Sequence, residues 1–156
     1  WLAVAGFSDF AGSTLVHSTG GAAALAGAMI LGPRLGRFTK SGAAAPVKPF
    51  AASSIPLVTL GVFVLWLGWF GFNGGSQLAI GTANDAIAVS TIFINTFLSG
   101  AGGVLAAATV TRLAFGKTDV IQMLNGCIGG LVAITDRPID RPVDRPSDGL
   151  TDRSTD

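Results

Sequence analysis

The chain has 156 residues, of which 49% are hydrophobic and only 12% are charged, and its formal net charge is +1. Soluble domains carry about twice this share of charged residues, so the composition indicates a membrane protein. No predicted helix or strand carries a run of lysine and arginine, which excludes a nucleic-acid-binding face. The single cysteine, Cys127, excludes an internal disulfide and provides no ligand set for a metal.

The first apolar segment runs from Phe10 to Gly32 and is long enough to cross a bilayer. It opens with Asp9 and contains His17, the only histidine of the chain. Ionisable groups are costly at membrane depth, so we expect this pair to be functional, and α-helical spacing would place both side chains on one face. Asp9 or Ser13 could also cap the helix. The many glycines and alanines of the segment predict close packing against other helices.

Three further apolar segments follow along the chain. Residues 56–72 form the predicted second span, and Pro56 suits its first turn. Residues 73–85 are predicted to be a loop. Residues 86–113 form a third span that is longer than a crossing requires, and residues 120–135 form a fourth segment that is short for one.

The positions of the cations predict the orientation of these spans. Every lysine and arginine before residue 136 lies after the first span, at the end of the third span or after it: Arg34, Arg37, Lys40, Lys48, Arg112 and Lys117. Cations gather on the cytoplasmic side, so we expect residues 34–55 and 112–119 to be cytoplasmic and Asp9 to lie near the outer face. The sequence therefore predicts a multi-pass protein of the cell membrane.

Residues 136–156 differ in character from the rest of the chain. Asp-Arg-Pro recurs at 136, 140 and 144, and this charged repeat has too little apolar surface to fold. We expect a disordered tail that is not native to the preceding domain. Its abrupt start inside an apolar segment indicates a translation or assembly artefact, with a natural charged linker as the alternative. The chain also begins with Trp1, which indicates a start within a longer protein.

Three motifs carry a resemblance to a known family. The first runs from Asp9 to His17 and continues in residues 32–37, Gly-Pro-Arg-Leu-Gly-Arg. The second is residues 68–76, Gly-Trp-Phe-Gly-Phe-Asn-Gly-Gly-Ser, and the third is residues 125–132, Asn-Gly-Cys-Ile-Gly-Gly-Leu-Val. Their order and spacing resemble the ammonium transporter family (Amt/Mep/Rh) over residues 1–135. The resemblance implies an all-α membrane fold of eleven transmembrane helices, usually trimeric, of which this fragment would supply about the fifth to the eighth.

The resemblance also implies roles for individual residues. His17 matches the first of two pore histidines, and Asp9 matches the acid beneath the outer ammonium site. Phe72 matches one of two stacked gate phenylalanines, Trp69 a pore-wall tryptophan, and Ser76 a hydroxyl near the recruitment site. The second histidine, the partner phenylalanine and the outer-site tryptophan would lie outside this chain. We therefore do not expect the chain alone to form an active pore.

The implied function is transport of ammonium or ammonia through a histidine-lined hydrophobic pore, with the cation recruited at the outer face. The implied partners are ammonium or ammonia, the lipid bilayer, further copies in a homotrimer and a cytoplasmic nitrogen-regulatory signalling protein. No cofactor, metal, nucleic acid or enzymatic activity is implied. An ammonium-sensing receptor on the same scaffold is the alternative. An intramembrane hydrolase is disfavoured, because it needs about three metal ligands, a second intramembrane aspartate, or a better-placed nucleophile than Ser13 beside His17.

Simpler interpretations of these residues also stay open. A lone histidine in an apolar helix is often a hydrogen-bonded packing residue. Aromatic residues near a helix end, such as Trp66 and Trp69, are often anchors at the membrane interface. Ser76 lies in a glycine-rich stretch that is typical of a turn. Asn95 and Thr96 in the third span are better explained as interhelical hydrogen-bond partners than as ligands.

Overall fold

A computed structural model describes residues 9–38 and 50–135, and these residues form helices and the loop segments beside them, with no strand. A π-helical segment, Ser13–Ser18, leads directly into α1 (Thr19–Leu31). It is followed by α2 (Ile55–Gly75), α3 (Ala83–Phe115) and α4 (Val120–Ile134). Three helical segments of the described chain, Ser13–Leu31, α2 and α3, are long and apolar enough to cross a membrane. The predicted all-α membrane class is confirmed, whereas the predicted tail lies outside the described residues.

The predicted loop at 73–85 is wrong at its first end, because α2 continues to Gly75 instead of ending at 72. The side-chain amide of Asn73 donates a hydrogen bond to the hydroxyl of Thr96 on α3 at 3.0 Å, and both residues are buried. Gly74 packs closely on Phe93, whose ring would lie 2.5 Å from a Cβ placed at Gly74. Tertiary contacts with α3 therefore keep this turn helical, although its glycines predict a break. The proposed hydrogen-bonding role of Thr96 is confirmed.

The loop also ends earlier than predicted, because α3 begins at Ala83 rather than at 86. Thr82 and Asp85 form a capping box there: the Thr82 hydroxyl accepts the Asp85 N–H at 3.2 Å, and the Asp85 carboxylate accepts the Thr82 N–H at 3.1 Å. This arrangement satisfies two N–H groups that a helix start would otherwise leave free. At the other end α3 extends to Phe115, where Gly116 adopts a left-handed conformation with φ of 72°.

Glycines bring α3 and α4 into backbone contact. A Cβ added at Gly103 would collide with the carbonyl group of Gly126, and one added at Gly130 would collide with the carbonyl of Ser99. The Ser99 hydroxyl also donates a hydrogen bond to the Gly130 carbonyl at 2.7 Å. Small residues that allow such an approach are typical of helix pairs in membranes. The short helix α4 is thus fixed along α3.

Close packing of the first span against other helices is not found among the described residues, so it stays a prediction. No residue of Ser13–Leu31 is buried. A Cβ added at Gly20, Gly21 or Gly27 would meet no atom within 4 Å. The glycines that do bring backbones together are those of α3 and α4, because those two helices lie side by side while α1 extends away from them.

A small apolar cluster joins α2 to α4 and positions the aromatic residues of α2. Val62, Cys127 and Leu131 are its buried members. Trp66 and Trp69 pack against it from α2. The cluster therefore holds the face of α2 that carries Trp69 against the C-terminal half of α4.

Candidate functional site

The segment before α1 is built around the carboxylate of Asp9. This carboxylate accepts hydrogen bonds from the backbone N–H groups of Leu15 at 2.8 Å, Gly12 at 3.1 Å and Thr14 at 3.4 Å. A helix start leaves its first backbone N–H groups without hydrogen-bond acceptors, and the Asp9 carboxylate is the acceptor here. Asp9 therefore makes the capping hydrogen bonds predicted for it, although the N-cap position itself is Gly12. The hydroxyl of Ser13 instead donates to the carbonyl of Val132 on α4 at 3.2 Å.

His17 lies in a π-helical turn rather than in a regular α-helix. Its N–H donates to the carbonyl of Gly12, five residues earlier, at 3.3 Å, and Gly12 has a positive φ of 100°. Asp9 lies before the helix. The prediction that Asp9 and His17 share a helical face is therefore wrong, because it assumed α-helical spacing from 9 to 17. Short π-helical insertions occur often at functional sites, and this turn sets the direction of the imidazole.

The imidazole of His17 stacks on the indole of Trp69. The ring centroids are 5.4 Å apart and the ring planes differ by 15°. Phe72 completes the group, with its centroid 6.0 Å from that of His17 and 6.0 Å from that of Trp69. Trp69 and Phe72 are three residues apart on α2 and so share one face. The structure thus brings together three of the five predicted site residues.

These three rings line a cavity of about 270 Å³ between the first span and α2. Its other walls are apolar or small: Val64, Leu65 and Gly68. The Nε2 atom of His17 is buried and has no hydrogen-bond partner among the described residues. Buried polar atoms without partners are rare in proteins and call for an explanation. His17 thus lines a cavity whose other walls are hydrophobic, and its Nε2 atom has no hydrogen-bond partner among the described residues.

Ser76 lies one turn beyond Phe72 at the end of α2. Its hydroxyl donates a hydrogen bond to the backbone carbonyl of Phe72 at 2.8 Å, and Phe72 itself is 40% exposed. Ser76 is the C-cap residue of α2, as expected of a turn residue. Asp9 acts on the backbone that leads into the first span. These two residues therefore border the segments that carry the rings.

Thr135 is a site residue that sequence reasoning missed. Its buried hydroxyl accepts a hydrogen bond from the indole N–H of Trp69 at 3.0 Å. The only sequence signal is general: a buried indole N–H usually finds a partner. Which helix supplies that partner depends on tertiary packing. Across residues 9–38 and 50–135, no three histidine, cysteine or acidic side chains gather into a group that could hold a metal ion.

Residues 1–138 match the Ammonium Transporter Family. The Synechocystis protein sll1017 is 46% identical over 137 residues, which cover 86% of this chain and 30% of its own length. The ammonium transporter Amt2 of Archaeoglobus fulgidus is 44% identical over 130 residues, which cover 83% of this chain and 26% of its own length. A solved structure of a sensor Amt protein superposes with a TM-score of 0.73 and 36% identity, covering 83% of this chain and 30% of that one.

The match spans most of this chain but only a minor part of each relative, between 24% and 30% of the first three. It includes all four helices, the His17 stack and the three motifs on which the resemblance rests. The family is one of membrane transporters rather than enzymes. This chain belongs to the Ammonium Transporter Family.

Proposed function

We propose that this chain forms part of a path by which ammonium or ammonia crosses the membrane. The observation that carries the proposal is that His17 lines a cavity whose other walls are apolar, while its buried Nε2 has no hydrogen-bond partner among the described residues. A neutral imidazole has one donor and one acceptor, so it can hydrogen-bond to ammonia or to a second imidazole. The relatives named as ammonium transporters, and the match over residues 1–138, support the substrate.

The physical problem is to admit ammonium while excluding other cations. A bare cation is prohibitively costly in an apolar chamber, whereas neutral ammonia is not. In our proposal the cation is held at the outer face by aromatic rings and a hydroxyl, and it loses a proton before ammonia enters the cavity. His17 then offers a hydrogen bond inside, where the walls formed by Val64 and Leu65 provide none.

The other predicted residues have roles that follow from their positions. Asp9 fixes the backbone entering the first span through three N–H groups and so supports the outer site and the π-helical turn. Phe72, which is partly exposed and lies against His17, is suited to gate the cavity. Ser76 lies beyond Phe72 and would contribute its hydroxyl to recruitment. Trp69 forms the wall on which His17 stacks.

The orientation and the assembly belong to the same proposal. In our proposal residues 34–55 and 112–119 are cytoplasmic and Asp9 faces outward, because the cations lie beyond the first span and at or beyond the end of the third. We propose a homotrimer and a cytoplasmic nitrogen-regulatory partner for the complete transporter. The remaining pore groups, a second histidine above all, would come from segments outside this chain.

A sensor is the second candidate function. The observation that favours it is the superposition on a sensor Amt protein with a TM-score of 0.73. A sensor would bind ammonium at the same site and couple occupancy to a cytoplasmic domain, whereas a transporter would release the substrate inward. The two functions therefore differ in net uptake of the substrate and not in how ammonium is recognised.

The experiment is an uptake assay on a chimera. Residues 9–135 of this chain replace the homologous segment of the Archaeoglobus fulgidus transporter Amt2, in cells that lack other ammonium transporters. We expect uptake of labelled methylammonium that unlabelled ammonium abolishes and that potassium or sodium at the same concentration does not. A well-inserted chimera that binds ammonium without taking up methylammonium would favour the sensor. One that does neither would refute the proposal.

A further inference from the structure

Thr135 joins three parts of the molecule at the C-terminal end of α4. Its hydroxyl accepts the indole N–H of Trp69 at 3.0 Å and donates to the carbonyl of Leu131 at 2.8 Å. Its backbone carbonyl accepts the N–H of Ala11 at 3.0 Å. The residue is fully buried, with 0% of its surface exposed. The hydroxyl therefore acts as donor and acceptor at once, between α4 and α2.

Packing alone does not fix the indole of Trp69. The ring packs on the apolar cluster and stacks with His17, but it also lines the cavity of about 270 Å³ and so is not enclosed on every side. A hydrogen bond to a fixed hydroxyl restrains rotation of the ring about its side-chain bonds. Without it, the part-buried indole N–H would lose the partner that it has in the described residues, which is costly. The hydroxyl of Thr135 thus selects the ring orientation that stacks on His17.

The same end of α4 also positions the backbone that carries His17. Ala11 donates to the carbonyl of Thr135, and the hydroxyl of Ser13 donates to the carbonyl of Val132. The first contact lies just before the π-helical segment, and the second is made by its first residue. The two stacked rings, His17 and Trp69, are therefore placed by one short stretch of α4, the imidazole through the backbone and the indole through a side chain.

We propose that Thr135 is a positioning residue, whose hydroxyl holds the Trp69 indole flat against the His17 imidazole and so shapes the cavity. The consequence for transport rests on the proposed function, whereas the ring geometry can be tested without it. Val, Ser and Ala at this position keep the backbone carbonyl, so these substitutions leave the contact with Ala11 in place and isolate the hydroxyl.

The first test uses the full chain in lipid nanodiscs, with indole nitrogen and imidazole labelling for NMR. Thr135→Val should speed hydrogen exchange of the Trp69 indole N–H by about five- to tenfold, the loss expected for one hydrogen bond. It should also shift the His17 ring protons, because the ring current of the indole moves. Thr135→Ser should change neither. An unchanged indole exchange rate and unchanged His17 shifts in Thr135→Val would overturn the proposal.

The second test is a double-variant comparison in the chimera described above. If Thr135 acts through Trp69, Thr135→Val and Trp69→Phe should each reduce methylammonium uptake, and the double variant should lose no more than Trp69→Phe alone. Losses that multiply would refute the positioning role. Thr135→Ala replaces Thr135→Val if the valine variant loses its helical circular dichroism. A parent chimera without uptake would refute the proposed function, and the NMR comparison would still decide the role of Thr135.

Discussion

From the contact between α3 and α4 we predict that alanine substitutions at two neighbouring glycines change the free energy of unfolding in opposite directions. A Cβ at Gly103 would collide with the carbonyl of Gly126 and lie 3.2 Å from the Cα of Gly130. Both are backbone atoms of α4, so no side-chain rotation relieves the collision and the helices must separate. A Cβ at Gly102 would meet no atom within 4 Å. The two substitutions share sequence context and chemistry and differ only in the facing helix.

Three contributions determine the change in the free energy of unfolding that we expect for Gly103→Ala. Overpacking costs about 1–3 kcal/mol, and loss of the hydrogen bond between Ser99 and Gly130 costs about 1 kcal/mol. Replacing glycine by alanine inside a helix stabilises the helix by about 1 kcal/mol. Gly103→Ala should therefore lower the free energy of unfolding by about 1–3 kcal/mol. Gly102→Ala should raise it by about 0.5–1 kcal/mol.

The assay is unfolding of the full chain in mixed micelles with increasing dodecyl sulfate, followed by far-ultraviolet circular dichroism. Both variants and the parent are titrated under one lipid and detergent ratio, so that differences in midpoint reflect the helix contact alone. If Gly103→Ala were as stable as Gly102→Ala, α3 and α4 would not meet through these glycines, and the packing argument would be refuted.

Two further predictions concern orientation and the start of the first span. In a Cys127→Ala background, a cysteine that replaces Ser53 should react only with reagents that reach the cytoplasm. A cysteine that replaces Gly81 should react with impermeant reagents added outside. Labelling of position 53 from outside would show that the orientation is the reverse of the predicted one. Gly12→Ala should destabilise the full chain by about 1–2 kcal/mol, because its φ of 100° strains any residue with a Cβ. Gly21→Ala, whose Cβ would lie in open space, is the matched control in the same unfolding titration, and equal midpoints for the two would contradict this account.

The lengths of the apolar segments predicted the helices well, because the length of an apolar segment is a local feature of the sequence. All four apolar segments are helical, and Asp9 caps the first span as predicted. The error at the end of α2 arose because a distant contact outweighs a local preference: Asn73 and Thr96 hold a glycine-rich turn in the helix. The early start of α3 has a local cause, the capping box between Thr82 and Asp85, which the prediction did not consider.

At the site, too, the sequence predicted the features that depend on local motifs and not those that depend on tertiary packing. The motifs singled out His17, Trp69 and Phe72, and the structure stacks these rings around one cavity. Spacing alone could not predict the π-helical turn, because it follows from the left-handed conformation of Gly12. Nor could it predict Thr135, which is 66 residues from Trp69 in sequence and reaches it only through the packing of α4 on α2.

The measurement that tests the central claim most directly is ion selectivity of the chimera carrying His17→Ala. Labelled methylammonium uptake and potassium current are recorded side by side, with Leu25→Ala as the control, since Leu25 lies on the same helix and is 63% exposed. We predict that His17→Ala loses methylammonium uptake or admits potassium, and that Leu25→Ala matches the parent. Normal uptake with potassium still excluded in His17→Ala would contradict the account and leave His17 as a packing residue.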